Sequence, residues 1–314
     1  MILITGSDGL IGSALGAIFD RDGIEWRGFD IRRDGAEDTR DPQALARAME
    51  GVDGVVHLAA VSRVVWAQND PQTTQDTNVG ALDELLRLAG SAAKRPWVIF
   101  ASSREVYGQQ DSLPVKEDAP LLPMNTYARS KVAGEQLIEA AREQGLLAQT
   151  VRFSNVYGSV DDYSDRVTPA FARTAVTSGT VRVDGSDHTF DFTQVDDAAR
   201  GLDLLVQATR AGELLPPIQL LTGTGTTLGE LAALAGDHAR RPVTLVDAPP
   251  RTYDVEKFVG NPARARELLG WTAQVPLAEG FARLVEDFAA AHLSTVGLNT
   301  AGLPIASKDR ATAS

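Results

Sequence analysis

The sequence predicts an α/β protein with a doubly wound parallel sheet followed by a smaller, mixed region. Three observations predict it. Short apolar runs alternate with helix-period segments through residues 1–155, a glycine-rich turn follows the first run, and beyond residue 155 irregular turns replace the alternation. Ile2–Thr5 reads as a buried strand, followed by the glycine turn and a helix through Asp20. Glu25–Asp30 is expected as the second strand, Pro42–Glu50 as a helix and Val52–Leu58 as the third strand. Pro71–Ala89 reads as one long helix and Trp97–Ala101 as the fourth strand. Asn125 can cap a helix through Gln144, because its side chain can accept from an early free amide. Gln149–Phe153 completes the series as a fifth strand.

Further along, turn signals stand at Gly179, Asp184-Gly185, Pro216-Pro217 and Gly223-Thr224-Gly225. Helices are expected near Thr168–Thr177, Asp196–Gln207, Thr227–Ala235, Pro262–Leu269 and Leu277–Ala291. The chain thus divides into a dinucleotide-binding domain over residues 1–155 and a substrate-binding region over 156–291, interleaved with it. Residues 292–314 are small and polar without helical periodicity, and are expected to be a mobile tail.

Composition removes several functions. A formal charge of −12 argues against general binding to nucleic acid or to an anionic membrane. The absence of cysteine excludes disulfides, thiolate metal sites and a cysteine nucleophile, and no metal is expected. Met1 leads straight into the first strand, and no apolar run is long enough to cross a bilayer; a cytoplasmic location is the expectation.

Gly6-Ser7-Asp8-Gly9-Leu10-Ile11-Gly12 joins the first strand to the first helix. Gly6 would allow a tight turn, Gly9 a close approach to a pyrophosphate, and Gly12 close packing of helix on strand. The helix start at Leu10 and Ile11 offers free amides and the positive end of a dipole to phosphates. This is the Rossmann-type arrangement. Asp30, at the end of the second strand beside Ile31, would hold ribose hydroxyls and repel a 2′-phosphate, which favours NAD over NADP. Arg32 and Arg33 read as solvated loop charges. Tyr127 and Lys131 are four residues apart on a helix and share a face. A free tyrosine titrates near ~10, too high for a base at neutral pH. A nearby ammonium favours phenolate, so Tyr127 could take a hydroxyl proton while Lys131 also holds the cofactor ribose.

The Gly-x-x-Gly-x-x-Gly spacing, Asp38-Thr39-Arg40-Asp41, His57-Leu58-Ala59-Ala60 and Thr77-Asn78-Val79-Gly80 follow one another as in the extended short-chain dehydrogenase/reductase superfamily, which the chain resembles. The resemblance implies that Asp38 approaches the adenine amine with Thr39 beside it, and that Leu58, Ala59 and Ala60 line the cofactor. It also counts Asn78 in the cofactor set, as an organiser of the sheet and active site. In Phe100-Ala101-Ser102-Ser103-Arg104-Glu105-Val106-Tyr107-Gly108 it makes Ser103 the catalytic hydroxyl that orients a substrate oxygen. Ser102 is the alternative, better suited to a capping or turn role beside the cofactor.

Over residues 1–290 the resemblance is greatest to the NAD-dependent epimerase/dehydratase family, whose members act on nucleotide sugars. Arg152-Phe153-Ser154-Asn155-Val156-Tyr157-Gly158 implies that Asn155 contacts the substrate sugar or diphosphate. Asp191–Asp197 and Leu268-Leu269-Gly270-Trp271 match further landmarks, the latter a helix end with a buried indole. Two departures stand out. Arg104-Glu105 occupies the place of the Asp-Glu pair of 4,6-dehydratases, so Glu105 lacks its partner acid. Phe190 occupies the place of an arginine that grips the diphosphate, whereas Arg251 matches another phosphate-binding arginine. His188 reads as an ordinary loop histidine.

The resemblance therefore implies a small-molecule substrate and C4 epimerisation of a nucleotide sugar through a transient 4-keto sugar. A sugar dehydrogenase or ketoreductase, a 4,6-dehydratase and a non-catalytic NAD-binding regulator are the alternatives. It also implies a homodimer built on the helices at 71–89 and 125–144. Leu82, Leu85, Leu86, Val132 and Leu137 could serve that interface or the monomer's core.

Overall fold

The computed structural model describes the backbone of residues 1–177, 179–240, 242–249 and 255–301, with side chains through 293. The first half runs β1 (Ile2–Thr5), α1 (Leu10–Asp22), β2 (Trp26–Phe29), α2 (Pro42–Ala48), β3 (Gly54–His57), α3 (Val64–Asn69), α4 (Pro71–Gln75), α5 (Ala81–Ser91), β4 (Trp97–Ser103), α6 (Thr126–Glu143) and β5 (Ala148–Phe153). The second runs β6 (Asn155–Tyr157), α7 (Val167–Thr177), β7 (Gly179–Asp184), β8 (Thr189–Gln194), α8 (Val195–Arg210), β9 (Ile218–Leu220), β10 (Gly225–Thr227), α9 (Leu228–Asp237), β11 (Val243–Ala248), α10 (Ala263–Leu269) and α11 (Leu277–Ala301).

Six strands form the main sheet in the order β2-β1-β3-β4-β5-β9, all parallel. Alternate residues of a strand face opposite sides, so Ile2 and Ile4 meet Leu15, Phe19 and Leu202 on one face, while Leu3 meets Leu45, Leu82 and Leu85 on the other. Both faces are covered, which is why the inner strands β1, β3 and β4 are buried and apolar over most of their length. The chain moves outward from β1 to β2 and then crosses back to β3. This switch point opens a crevice at the strands' carboxyl ends. The second half returns to the sheet: β9 pairs with β5, and α8 packs against α1. Its remaining strands form a mixed sheet, β10-β8-β6, and a parallel pair, β11-β7, around a core that includes Phe171, Phe190, Phe192 and Phe281.

Some expectations are corrected. The helix expected over Pro71–Ala89 is interrupted by a π turn at Asp76–Gly80. The wider turn carries Asn78 inward, where it is buried. The tail does not start at His292: α11 continues to Ala301, as the helix formers Ala289, Ala290, Ala291 and Leu293 favour, and residues 302–314 lie outside the described residues. Leu82, Leu85 and Leu86 are buried inside the monomer, and Leu137 packs against the same cluster. Val132 joins a separate small cluster around Tyr107 and Phe258. Asn125 caps α6 as expected, accepting from Ala128 N at 2.8 Å. Among the described residues no helix is long and apolar enough to cross a membrane.

Candidate active site

The glycine turn after β1 is shaped by contacts that tolerate no side chain. Gly6 has φ +71, and a Cβ there would stand 2.7 Å from Ala59 N. A Cβ on Gly12 would stand 2.3 Å from Gly6 O, so Gly12 closes the helix onto its own turn rather than onto a strand, which corrects the role expected for it. No side chain caps the start of α1 at Gly9, and its first amides are left to face the crevice.

A groove of about 380 Å³ runs along the carboxyl edge of the sheet. Gly6, Gly9, Leu10, Ile11 and Gly12 line it from the turn, and Asp30, Ile31, Asp38 and Thr39 from beyond β2. Leu58, Ala59 and Ala60 line it after β3, and Ser102, Ser103, Tyr127 and Lys131 from β4 and α6. Asp30 is preset: Oδ2 accepts from Asp8 N and Oδ1 from Arg32 N, each at 2.9 Å. Arg40 grips Asp38 and holds its carboxyl below the usual range. Arg32 is not a free loop charge. It donates to Asp8 O at 3.1 Å and to the Tyr163 hydroxyl at 2.5 Å, so the groove is bridged from one half of the fold to the other. Arg33 pairs with Asp8 at 3.3 Å. Asn78 is absent from the groove wall. It donates to Val61 O and Ser130 Oγ and accepts from Val61 N, which fixes the loop after β3 to α6.

A second cavity of about 340 Å³ is lined by Arg104, Glu105, Asn155, Phe190 and Phe192, and by Arg63, Arg166 and Arg182. Ser103 and Tyr127 line both spaces and therefore stand where they meet. Burial pushes the Tyr127 phenol up, whereas its hydrogen bond with Ser103 and the charge of Arg166 pull it back. Lys131 sits one turn further along α6, donating to Ala101 O at 2.7 Å, and burial brings its ammonium down to about 7. The charges of Arg166 and Arg104 also favour the phenolate, and Lys131 Nζ stands 5.8 Å from the centre of the Tyr127 ring.

Ser103 takes the capping role expected of Ser102 and keeps its hydrogen bond with Tyr127 as well. Ser103 is the cap, accepting from Glu105 N at 3.2 Å, while Ser102 donates to Glu135 at 2.5 Å. Glu135 is gripped in turn by Arg152 at 2.8 and 2.6 Å. Glu105 is occupied on both oxygens, by Arg104 at 2.8 Å and by Asn125 at 3.0 Å. That leaves it poorly placed to abstract a proton. Asn155 accepts from Arg104 Nε at 3.0 Å. Phe190 lies under the Arg104 guanidinium, 4.6 Å from it. His188 is buried beside Phe190 rather than exposed on a loop, and lines neither space. Arg251 lies outside the described residues.

Sequence reasoning missed Arg63, Tyr163 and Arg166. They come from α3's start and from the loop before α7, and are joined to the site only in space, by pairs such as Arg63 with Asp165 at 2.8 Å. No periodicity or motif marks them.

A dinucleotide groove meeting a second cavity at a Ser–Tyr–Lys set defines an enzyme of the extended short-chain dehydrogenase/reductase class. The chain belongs to the NAD dependent epimerase/dehydratase family, whose model matches residues 2–215. It is 33% identical to UDP-glucose 4-epimerase of Mycolicibacterium smegmatis, over 74% of this chain and 75% of that one. MoeE5 in complex with UDP-glucose and NAD superposes with a TM-score of 0.84 at 26% identity, over 93% of this chain and 99% of the other. UDP-glucose 4-epimerase of Thermus thermophilus in complex with NAD gives 0.83 at 25% identity, over 92% and 99%. NAD, the family's cofactor, suits the groove: the start of α1 carries no side-chain cap at Gly9, and the Asp30 carboxylate is already oriented.

Proposed function

We propose that this enzyme is a nucleotide-sugar epimerase acting at C4 through a transient 4-keto sugar. The observation that carries the reading is the junction at Ser103 and Tyr127, where a substrate in the second cavity would present a hydroxyl to the cofactor groove. NAD, when bound, would supply the acceptor for the C4 hydride and its donor on return. Tyr127 takes the proton from the C4 hydroxyl and gives it back after the sugar has turned. Ser103, hydrogen-bonded to Tyr127, would hold that oxygen in line. Lys131 reaches the groove beside them and would bind the cofactor ribose. In this reading Asn155, Phe190 and Glu105 bound the sugar. Residues 1–155 hold mainly the cofactor and residues 156–291 mainly the substrate. The capture of Glu105 by Arg104 and Asn125 speaks against dehydration.

Incubation of the purified protein with UDP-glucose, UDP-galactose and UDP-glucuronate, followed by proton NMR and absorbance at the NADH band, tests this. The expected result is interconversion of C4 epimers without accumulation of NADH. Stoichiometric NADH would mean net oxidation, and no turnover of any sugar nucleotide would overturn the proposal. We further propose a cytoplasmic homodimer joined through the outer faces of α5 and α6. Sedimentation showing only monomer at micromolar concentration would refute the dimer.

A further inference from the structure

We infer that Arg104 selects the substrate by holding a carboxylate on C5 of the sugar, so that the preferred ligand is a nucleotide-linked uronic acid. The inference rests on the nucleotide-sugar reading above. Arg104 is 9% exposed and held from three sides. Nε donates to Asn155, Nη2 pairs with Glu105 at 2.8 Å, and the guanidinium lies 4.6 Å from the centre of the Phe190 ring. Nη1 is buried and has no hydrogen-bond partner among the described residues, yet Arg104 lines the cavity. A buried, charged N–H left unsatisfied is costly, and the partner that best repays it is an anionic oxygen.

Position decides which anion. Arg104 follows Ser103 in the chain and lines the same cavity as Ser103 and Tyr127, so it sits beside the reacting carbon. In a pyranose, C5 is the neighbour of C4, whereas the diphosphate hangs from C1 across the ring. A neutral hydroxymethyl group could accept one hydrogen bond, but a carboxylate accepts more strongly from a charged donor held among Phe190, Phe192 and Phe171. Arg166 adds a second cation on the same cavity, paired only loosely with Asp162 at 3.5 Å and with its own Nε unsatisfied. With Arg63 and Arg182, four guanidinia line the cavity against the three carboxylates of Glu105, Asp165 and Asp184, which leaves room for one more carboxylate.

Calorimetry of the NAD-loaded full chain with UDP, UDP-glucose and UDP-glucuronate tests the assignment. Wild-type protein should bind UDP-glucuronate at least about 10-fold more tightly than UDP-glucose, the scale of a charged hydrogen bond. Arg104→Met, which keeps an unbranched stem against Phe190 and Phe258, should bring that ratio towards one, and Arg104→Lys should retain part of it. Equal wild-type affinity for the two sugars overturns the inference even if the variants fail to fold. So does an Arg104→Met protein that loses UDP as severely as UDP-glucuronate, since Arg104 would then serve the diphosphate. Selective binding without interconversion by NMR would remove the C4 reaction and leave the carboxylate contact standing. Equal turnover of both sugars would do the reverse.

Discussion

Lys131 donates from Nζ to Ala101 O at 2.7 Å, and the same nitrogen lies 5.8 Å from the centre of the Tyr127 ring. The lysine is therefore tied to the end of β4 and not to the phenol one turn back. Burial brings its ammonium from the ordinary 10.5 down to about 7. Between those values the folded protein binds fewer protons than the unfolded chain, so stability from this group rises with pH across the window. Below about pH 7 the penalty of burying the charge is complete. Thermal unfolding of NAD-free Lys131→Met should show its Tm, relative to wild type, highest near about pH 6 and falling as pH rises. A pH-independent difference would contradict the depressed ammonium.

Tyr127→Phe should abolish turnover while leaving fold and NAD affinity intact, since the ring still packs but the proton acceptor is gone. The loss belongs in kcat and should reach ~10²–10⁴-fold. Ser103→Ala should be milder, because Tyr127 can still take the proton from a less well-oriented hydroxyl. Steady-state rates and NAD titration separate the two effects; near-full activity in Tyr127→Phe would defeat the mechanism.

Asp30 accepts from two backbone amides as well as facing the groove. Asp30→Ala should weaken NAD, narrow the discrimination against NADP, and loosen the turn itself. Fluorescence titration with both cofactors checks this. Unchanged affinities would remove Asp30 from the site.

His57 is buried, with Nδ1 2.8 Å from Thr5 Oγ1, and burial, assisted by the charge of Lys131, holds its imidazole down to about 3. The folded protein then resists the protonation that the unfolded chain accepts near 6.5. Its contribution is present above about pH 6.5 and is lost as pH falls towards about 3. His57→Gln, which retains a partner for Thr5, should lose less Tm between about pH 7 and pH 4 than the wild type does. Equal losses in the two proteins would count against a neutral buried His57.

A methyl group at Gly12 would fall 2.3 Å from Gly6 O, a backbone atom that cannot swing away. Gly12→Ala should cost about 1–3 kcal/mol in the NAD-free protein and weaken NAD binding further. Chemical denaturation and cofactor titration measure both.

Much of the cofactor half was legible in residue order. The turn at residues 6–12, Asp30 at the end of β2, and the run from Leu58 to Ala60 are local features, and each strand's period places them at one sheet edge. Tyr127 and Lys131 share a face because a helix brings residues four apart together. Capping at Asn125 was likewise local. The partners of those groups were not legible. Ser102 and Ser103 are neighbours of the same type, and only the packing of α6 against β4 gives one to Glu135 and the other to Tyr127. The inward turn of Asn78 depends on one extra residue in a helical turn, which periodicity does not register.

By itself, then, the sequence determined the α/β class and the dinucleotide turn and set Tyr127 and Lys131 on one helical face, because each rests on contacts within a strand, a turn or a helix. Only the tertiary structure decided that Arg104 lies on Phe190 with one nitrogen unsatisfied among the described residues, that Glu105 is engaged on both oxygens, and that Arg166 lines the same cavity as the phenol. Those relationships join segments far apart in the chain, and no local periodicity can specify which buried charge will face which ring.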